Sequence, residues 1–281
     1  MNAGPRDGRV PRAEKRSEAR PIASLRGVKH RLFPFYYSPG KKLYHVVVKL
    51  SDSPGSYSSI LDLLSTRVNL IGTSTYSLSD GAAIFSGFAE ALSPKETREG
   101  IERLIRGSKA AIEVKVNEGK EGVLIDTLHT GFTVEGEDFV LMRREGLGEM
   151  FDRVTKILGS GGDALLYEQG AAMGRSAVET LTGRLGARVV ESNLSAVYRV
   201  MSAQGLGEIR GEMGPKDGSF LMTVRDCFEC SEGAPRGGCN FMRGYFVGAA
   251  EGIFRRKYAA QEVKCVLKGY SHCEFTLVPE S

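Results

Sequence analysis

The chain has 281 residues, 41% hydrophobic and 26% charged, with a formal net charge of +4. That length suits two compact domains, each able to bury its own core, and the composition is ordinary for a globular protein. The longest apolar runs, such as Val46-Val47-Val48, are far too short to cross a bilayer, the first residues contain no apolar stretch like a secretory signal, and five cysteines crowded into one segment do not make a disulfide framework; these features point to a cytoplasmic protein with no membrane partner.

Residues 1–31 hold nine Lys or Arg against three Asp or Glu, so the rest of the chain is slightly acidic. The stretch 1–40 reads as a basic, disordered tail: it contains Pro and Gly but lacks the interleaved aromatics or recognisable motif of a nucleic-acid binder. A first domain is expected over 41–118. Leu43-Tyr-His-Val-Val-Val-Lys-Leu50 is a β-branched strand, followed by a turn at Asp52-Ser53-Pro54-Gly55 and an apolar helical pattern at Ile60, Leu61, Leu63 and Leu64. Pro54 suits the first helical turn, and Asp52 or Ser53 could cap it. Strands follow over 68–78 and 82–91, joined by a tight turn at Asp80-Gly81. Ser93-Pro94 then reads as the start of a second helix bearing Ile101, Leu104 and Ile105 on one face, and 111–116 as a last strand.

This βαββαβ order is that of a ferredoxin-like sandwich in the α+β class. Over about 43–117 it resembles an ACT domain, on Asp52-Ser-Pro54-Gly55 after the first strand and Asn69 early in the second. The resemblance implies pairing into a homodimer and an amino-acid effector bound between paired copies. It marks Asp52, Gly55 and Asn69 as the contacts. Gly55 would let the backbone approach a ligand and Asp52 could receive an ammonium group. The competing reading leaves Asp52 as a helix cap and the domain as a pairing surface alone.

Residues 119–139 read as a connector, and 140–281 as a second α+β domain. A first strand is expected over 139–143, helices over 148–158, 163–185 and 194–204, and strands over 207–213 and 219–225. The helix that begins near Cys239, with Asn240 as cap, carries Gly244, Gly248 and Gly252 every four residues. Each Gly costs a helix about 1 kcal/mol relative to Ala, so this bare face needs a reason. Close packing of another element is one; a ligand cavity lined by Phe241 and Tyr245 is the other.

The C-terminal cysteines carry the most chemistry. Strand-like runs over 261–268 and 272–278 flank Gly269-Tyr270-Ser271 as a short hairpin in which Cys265 and Cys273 face each other. Opposed residues hold their Cβ atoms roughly 4.5–5.5 Å apart, within reach of one tetrahedral zinc. Cys239 would join from a helix start, where unpaired N–H groups favour a thiolate. Glu262 needs a bulge to turn toward Cys265. Arg243, Lys264 and Lys268 are near enough in sequence to offset the surplus negative charge. Cys227-x-x-Cys230 opens an alternative ligand set of Cys227, Cys230, Cys265 and Cys273, and a redox pair is a further reading.

From about 140 onward the sequence resembles the 4-vinyl-reductase-like domain, a small-molecule-binding module found also as the aromatic-sensing domain of bacterial transcription activators. The matching residues include Leu165-Leu166-Tyr167-Glu168-Gln169-Gly170 with Gly174, Gly205-Leu206-Gly207, Cys230, the Gly244/Gly248 helix, and Glu262-Val263-Lys264-Cys265 through Gly269 and Cys273. The resemblance implies a structural zinc held by Cys239, Glu262, Cys265 and Cys273. It also implies a small apolar or aromatic ligand, although the relatives' contacting Trp has no counterpart, since the chain contains none. A metabolite sensor acting on a separate transcription regulator or enzyme is the function expected. Its rival is a reductase, or reductase accessory, acting on a tetrapyrrole vinyl group, against which stands the lack of a dinucleotide or flavin fingerprint. No catalytic residue emerges.

Overall fold

The computed structural model describes residues 34–134, 136–192, 194–214, 218–230 and 237–280. Contacts divide the chain into two units, Met1–Gly131 and Phe132–Ser281. Most of the basic stretch assigned to a tail, 1–33, lies outside the described residues.

The first unit runs β1 (Phe35–Tyr37), β2 (Leu43–Ser51), α1 (Ser56–Ser65), β3 (Val68–Ser77), β4 (Ala82–Ala91), α2 (Arg98–Arg106), β5 (Ala111–Glu118) and β6 (Val123–Ile125). Four of these strands form an antiparallel sheet in the order β3-β4-β2-β5. Side chains alternate across a strand, so Tyr44, Val46, Val48 and Leu50 of β2 share one face. There they meet Ile60 and Leu64 of α1 and Ile101 and Ile105 of α2 in the main core. The other face of β2 is buried too. Leu43 packs there with Phe88 of β4 and Leu124 of β6, and β6 is held by antiparallel pairing with β1. Residues 119–131 therefore belong to the first unit and are not a free connector. Likewise Phe35–Tyr37, read as tail, is a strand.

Both helix starts differ from the sequence reading. Helix α1 begins after Gly55, which sits in the left-handed region at φ 88° and gives no side-chain cap; neither Asp52 nor Ser53 caps it. Helix α2 begins at Arg98, where Thr97 accepts a hydrogen bond from the Gly100 amide at 3.0 Å. Ser93-Pro94 stays in a loop because the Glu96 carbonyl is tied to the sheet by Lys42 Nζ at 2.6 Å and Tyr44 Oη at 2.9 Å.

The second unit opens with a hairpin, β7 (Phe132–Val134) and β8 (Glu137–Phe139). It continues with α3 (Arg144–Leu158), α4 (Ser160–Leu185), α5 (Ala187–Ser192), α6 (Leu194–Ala203), β9 (Glu208–Met213), β10 (Phe220–Arg225), α7 (Asn240–Phe254), β11 (Tyr258–Lys264), a 3-10 turn (Val266–Lys268) and β12 (Cys273–Pro279). The strand expected over 139–143 is replaced by the end of β8 and the approach to α3. The sheet is antiparallel in the order β11-β12-β10-β9.

Its apolar face, Phe220, Met222, Val224, Phe275 and Leu277, packs in one core with Met242, Phe246 and Val247 of α7. On its glycine side α7 meets α4 backbone to backbone. A Cβ on Gly244 would strike the Tyr167 carbonyl, and one on Gly248 the Ala171 carbonyl. One on Gly170 would strike Phe241, and one on Gly174 would strike Tyr245, again at the carbonyl oxygen. Helix packing accounts for the bare face at Gly244 and Gly248. Among the described residues no helix is long and apolar enough to cross a membrane.

Candidate metal centre and apolar cavity

Five free cysteines gather where α7, β10, β11 and β12 end, four of them buried and Cys230 half-buried. Cys239 is the N-cap residue of α7, Cys273 opens β12 opposite Val224 of β10, and Cys265 leads into the 3-10 turn after β11. The hairpin is longer than the sequence suggested. Strand pairing stops at Lys264 opposite Glu274; Cys265 lies beyond it, its carbonyl accepting from the amides of Lys268 at 3.0 Å and Tyr270 at 3.3 Å. The bulge that Glu262 requires is present, as a register shift between Glu262 and Lys264.

One ligand atom each from Cys239, Glu262, Cys265 and Cys273 lie within 4.8 Å of one another, and so do those of Cys227, Cys230, Cys239 and Cys273. A tetrahedral zinc with Zn–S bonds of about 2.3 Å sets its sulfurs about 3.8 Å apart. Cys239 is 3.7 Å from both Cys265 and Cys273, which fits one face of such a tetrahedron. Cys230 is 3.8 Å from Cys265 but only 2.9 Å from Cys239 and 3.3 Å from Cys273, so it would have to move outward to share a metal with them. Cys227 is 4.0 Å from Cys239. The set Cys227, Cys230, Cys265 and Cys273 omits Cys239, the sulfur closest to ideal spacing.

The thiols govern one another's protonation. Hydrogen bonding within the cluster, with Cys227 the first contributor, holds Cys230 and Cys239 protonated well above the ordinary thiol range, and the same donors pull Cys273 far below it. One thiolate is stabilised by its neighbours' S–H groups, while further ones are opposed by like charge and burial. A dication removes that opposition, because metal binding deprotonates the thiols. The donor set fits zinc.

The N–H groups at the start of α7 are met by two carboxylates. Glu229, fully buried, accepts from the amides of Phe241 at 3.0 Å and Met242 at 2.8 Å. Glu262 accepts from the Cys239 amide at 3.1 Å and lies 3.6 Å from Lys268. Asn240 is not the cap. Of the three cations expected near the site only Lys268 pairs with a ligand residue; Lys264 binds Glu274 at 2.9 Å and Arg243 lies 5.2 Å over the Tyr167 ring. Glu229 escaped the sequence reading, although the segment Cys227-Phe-Glu-Cys230 places an acid between two thiols.

Further along α7 an apolar cavity opens against α6 and the sheet. Its walls include Val197, Tyr198, Met201, Met222, Phe246 and Ala250. It offers about 20 Å³ to the centre of a water-sized sphere, roughly one water's worth. Tyr198 contributes a hydroxyl, and burial pushes its pKa up to about 12, keeping it neutral and able to donate. Phe241 and Tyr245 do not line this cavity. Phe241 stacks on Phe151 with centroids 5.1 Å apart, and Tyr245 is buried against the glycine face of α4. Helix α7 lines the cavity with residues one step round, because Phe241 and Tyr245 fall on its α4 side. In the first unit, Asp52 and Gly55 are exposed in the β2–α1 loop and Asn69 is exposed at the start of β3.

Residues 220–279 match the vinyl-4-reductase (4VR) domain. That stretch contains β10, α7, β11 and β12, hence every cysteine of the cluster. The uncharacterized protein MJ0150 of Methanocaldococcus jannaschii is 27% identical over 120 residues, which is 42% of this chain and 65% of that protein, so the chain spans a little under two thirds of that relative's length. Among solved structures, the phenol-responsive sensory domain of the transcription activator PoxR, crystallised with phenol, aligns with 81% of this chain and 91% of its own at 12% identity and a TM-score of 0.42. A vinyl-4-reductase family protein from Methanocaldococcus jannaschii aligns with 52% of this chain and 86% of its own at 20% identity and a TM-score of 0.34. The domain match over 220–279 bears out the C-terminal half of the resemblance read from the sequence.

Proposed function

We propose that this chain is a small-molecule sensor or regulatory protein and not an enzyme. In this reading a structural zinc is held by Cys239, Glu262, Cys265 and Cys273, with four protein ligands leaving no position for an activated water. Zinc supplies cross-linking here: it ties the head of α7 to the β11–β12 turn. Cys230 and Cys227 stand beside the ion and are not its first ligands. The sensed molecule is small and apolar or aromatic, and it enters the cavity between α6, α7 and the sheet with the Tyr198 hydroxyl as polar anchor. Because the cavity is now about one water in size, its walls must part to admit such a ligand.

The first unit, ACT-like in this reading, pairs two copies of the chain or takes an amino-acid effector at Asp52, Gly55 and Asn69. The signal passes to a separate transcription regulator or enzyme in the cytoplasm. The observation that carries the proposal is the sulfur cluster at the head of the helix whose body lines the cavity. The test is native mass spectrometry and absorption spectroscopy of protein purified from its own cells. One zinc per second unit with a colourless small-molecule adduct is expected. A bound flavin or tetrapyrrole would replace the sensor with a vinyl-group reductase.

A further inference from the structure

We propose a second metal site, in the first unit, formed by His45, Asp126 and His129 and taking a first-row divalent cation of the zinc and nickel kind. One ligand atom from each of the three lies within 4.8 Å of the others. His45 is fully buried on the face of β2 that β6 covers. Its Nε2 is 2.9 Å from Ser86 Oγ and its ring lies 4.5 Å from that of Phe88, which together fix its orientation. Its Nδ1 has no hydrogen-bond partner among the described residues. The group nearest in charge terms is Asp126 Oδ1 at 3.5 Å, beyond the roughly 2.7–3.2 Å of an N–H···O bond but close to the edge of about 3.3–3.5 Å between N and O ligands of one tetrahedral ion.

Asp126 is itself held in place. Its Oδ1 accepts from the amides of Leu128 at 2.9 Å and His129 at 3.0 Å, and its Oδ2 lies 2.8 Å from His129 Nδ1. An ordinary ion pair accounts for His129 and Asp126 but leaves the buried His45 Nδ1 unmatched in either tautomer. A proton there has no acceptor in range, and a lone pair there faces a carboxylate. A cation satisfies all three groups at once. Burial, outweighing the pull of Asp126, lowers the His45 pKa, so its imidazole is neutral, as a ligand must be. Two imidazoles and a carboxylate suit zinc, nickel or ferrous iron and lack the soft thiolates of the cysteine centre. Asp126 and His129 retain 19% and 30% side-chain exposure, so exchangeable ligands can reach the ion from solvent, unlike a closed structural site.

The full chain, stripped with a chelator and dialysed against cobalt(II), tests this directly. Two cobalt ions per chain are expected, only one giving the intense near-ultraviolet thiolate band. Asp126→Asn and His129→Ala, both at partly exposed positions, should each remove one ion and leave that band unchanged. Cys265→Ser with Cys273→Ser should remove the band and leave one ion. The proposal fails if the wild type binds only the thiolate-ligated ion, or if both first-unit variants still bind two. Loss of the thiolate band from the wild type with one ion retained would instead remove the zinc reading of the second unit and leave this site standing.

Discussion

Replacing Gly248 by Ala should cost the second unit far more than the same change at Gly183, although both glycines lie inside long helices. A Cβ on Gly248 would overlap the Ala171 carbonyl oxygen and stand 2.7 Å from its carbon and 2.8 Å from Cα, whereas a Cβ on Gly183 meets nothing within 4 Å. The atoms in the way are backbone of α4, so no side chain can swing aside. Restoring carbon contacts of about 3.5–4.0 Å requires α4 and α7 to part by about 1 Å, which forfeits roughly a quarter to a half of the dispersion energy at each neighbouring contact. Overpacking of this kind costs about 1–3 kcal/mol, and more where nothing yields. Against that stands about 1 kcal/mol of helix propensity gained at either position. The net expectation is a loss of about 2 kcal/mol for Gly248→Ala and a gain of up to about 1 kcal/mol for Gly183→Ala. For a unit of this size that is a separation of about 6–12 °C in unfolding midpoint. Calorimetry of the two variants side by side measures it. Equal midpoints would refute the claim that α4 and α7 touch through their backbones.

Cys265→Ser and Cys273→Ser should each lower zinc content and the unfolding midpoint of the second unit, while Cys230→Ser and Cys227→Ser leave zinc content unchanged; elemental analysis after gel filtration decides, and loss of zinc from Cys230→Ser would move the fourth ligand from Glu262 to that thiol. Glu229→Ala removes the acceptor of two amides at the head of α7, each a charged hydrogen bond of about 1.5–3 kcal/mol. Urea titration should show destabilisation of at least the lower of those figures, and an unchanged midpoint would mean that water serves the helix end equally well.

How far the sequence discloses this molecule depends on how local the determining contacts are. Strands β2 and β4 are legible almost to the residue, because β-branched and small apolar runs are bounded by Asp, Gly and Pro. The need for a bulge at Glu262 is also legible, since a strand's two-residue period otherwise turns it away from Cys265. The start of α2 is not. Ser93-Pro94 has the chemistry of a helix start, and what overrides it is the distant tie of Glu96 to Lys42 and Tyr44. Strand β1 is hidden for a similar reason: three residues make a strand only because β6 pairs with them. Three of the cysteine ligands could be grouped from spacing and resemblance, but the crowding of Cys230 against Cys239 could not. The approach of His45 to Asp126 and His129 depends on β6 crossing the sheet, which no local pattern announces.

Helix α7 gives the two proposed sites of the second unit a common mechanical element. Its first turn is fixed by Cys239, Glu229 and Glu262, and Phe246, Ala249, Ala250 and Ile253 further along it line the cavity. At about 1.5 Å per residue, Cys239 and Phe246 are about 10 Å apart along the axis, and the glycine contacts with α4 leave the helix little freedom to slide. An ion that clamps the head of α7 therefore restricts the same helix that must yield to a ligand. Zinc removal should free the cavity wall, so that amide hydrogen exchange accelerates across 246–254 as well as near Cys239. It should also change the affinity for whichever apolar compound native mass spectrometry identifies, and by linkage that compound should alter zinc affinity by the same factor. Faster exchange confined to the cysteine loops, with 246–254 protected as before, would show that the metal holds only its own corner of the fold.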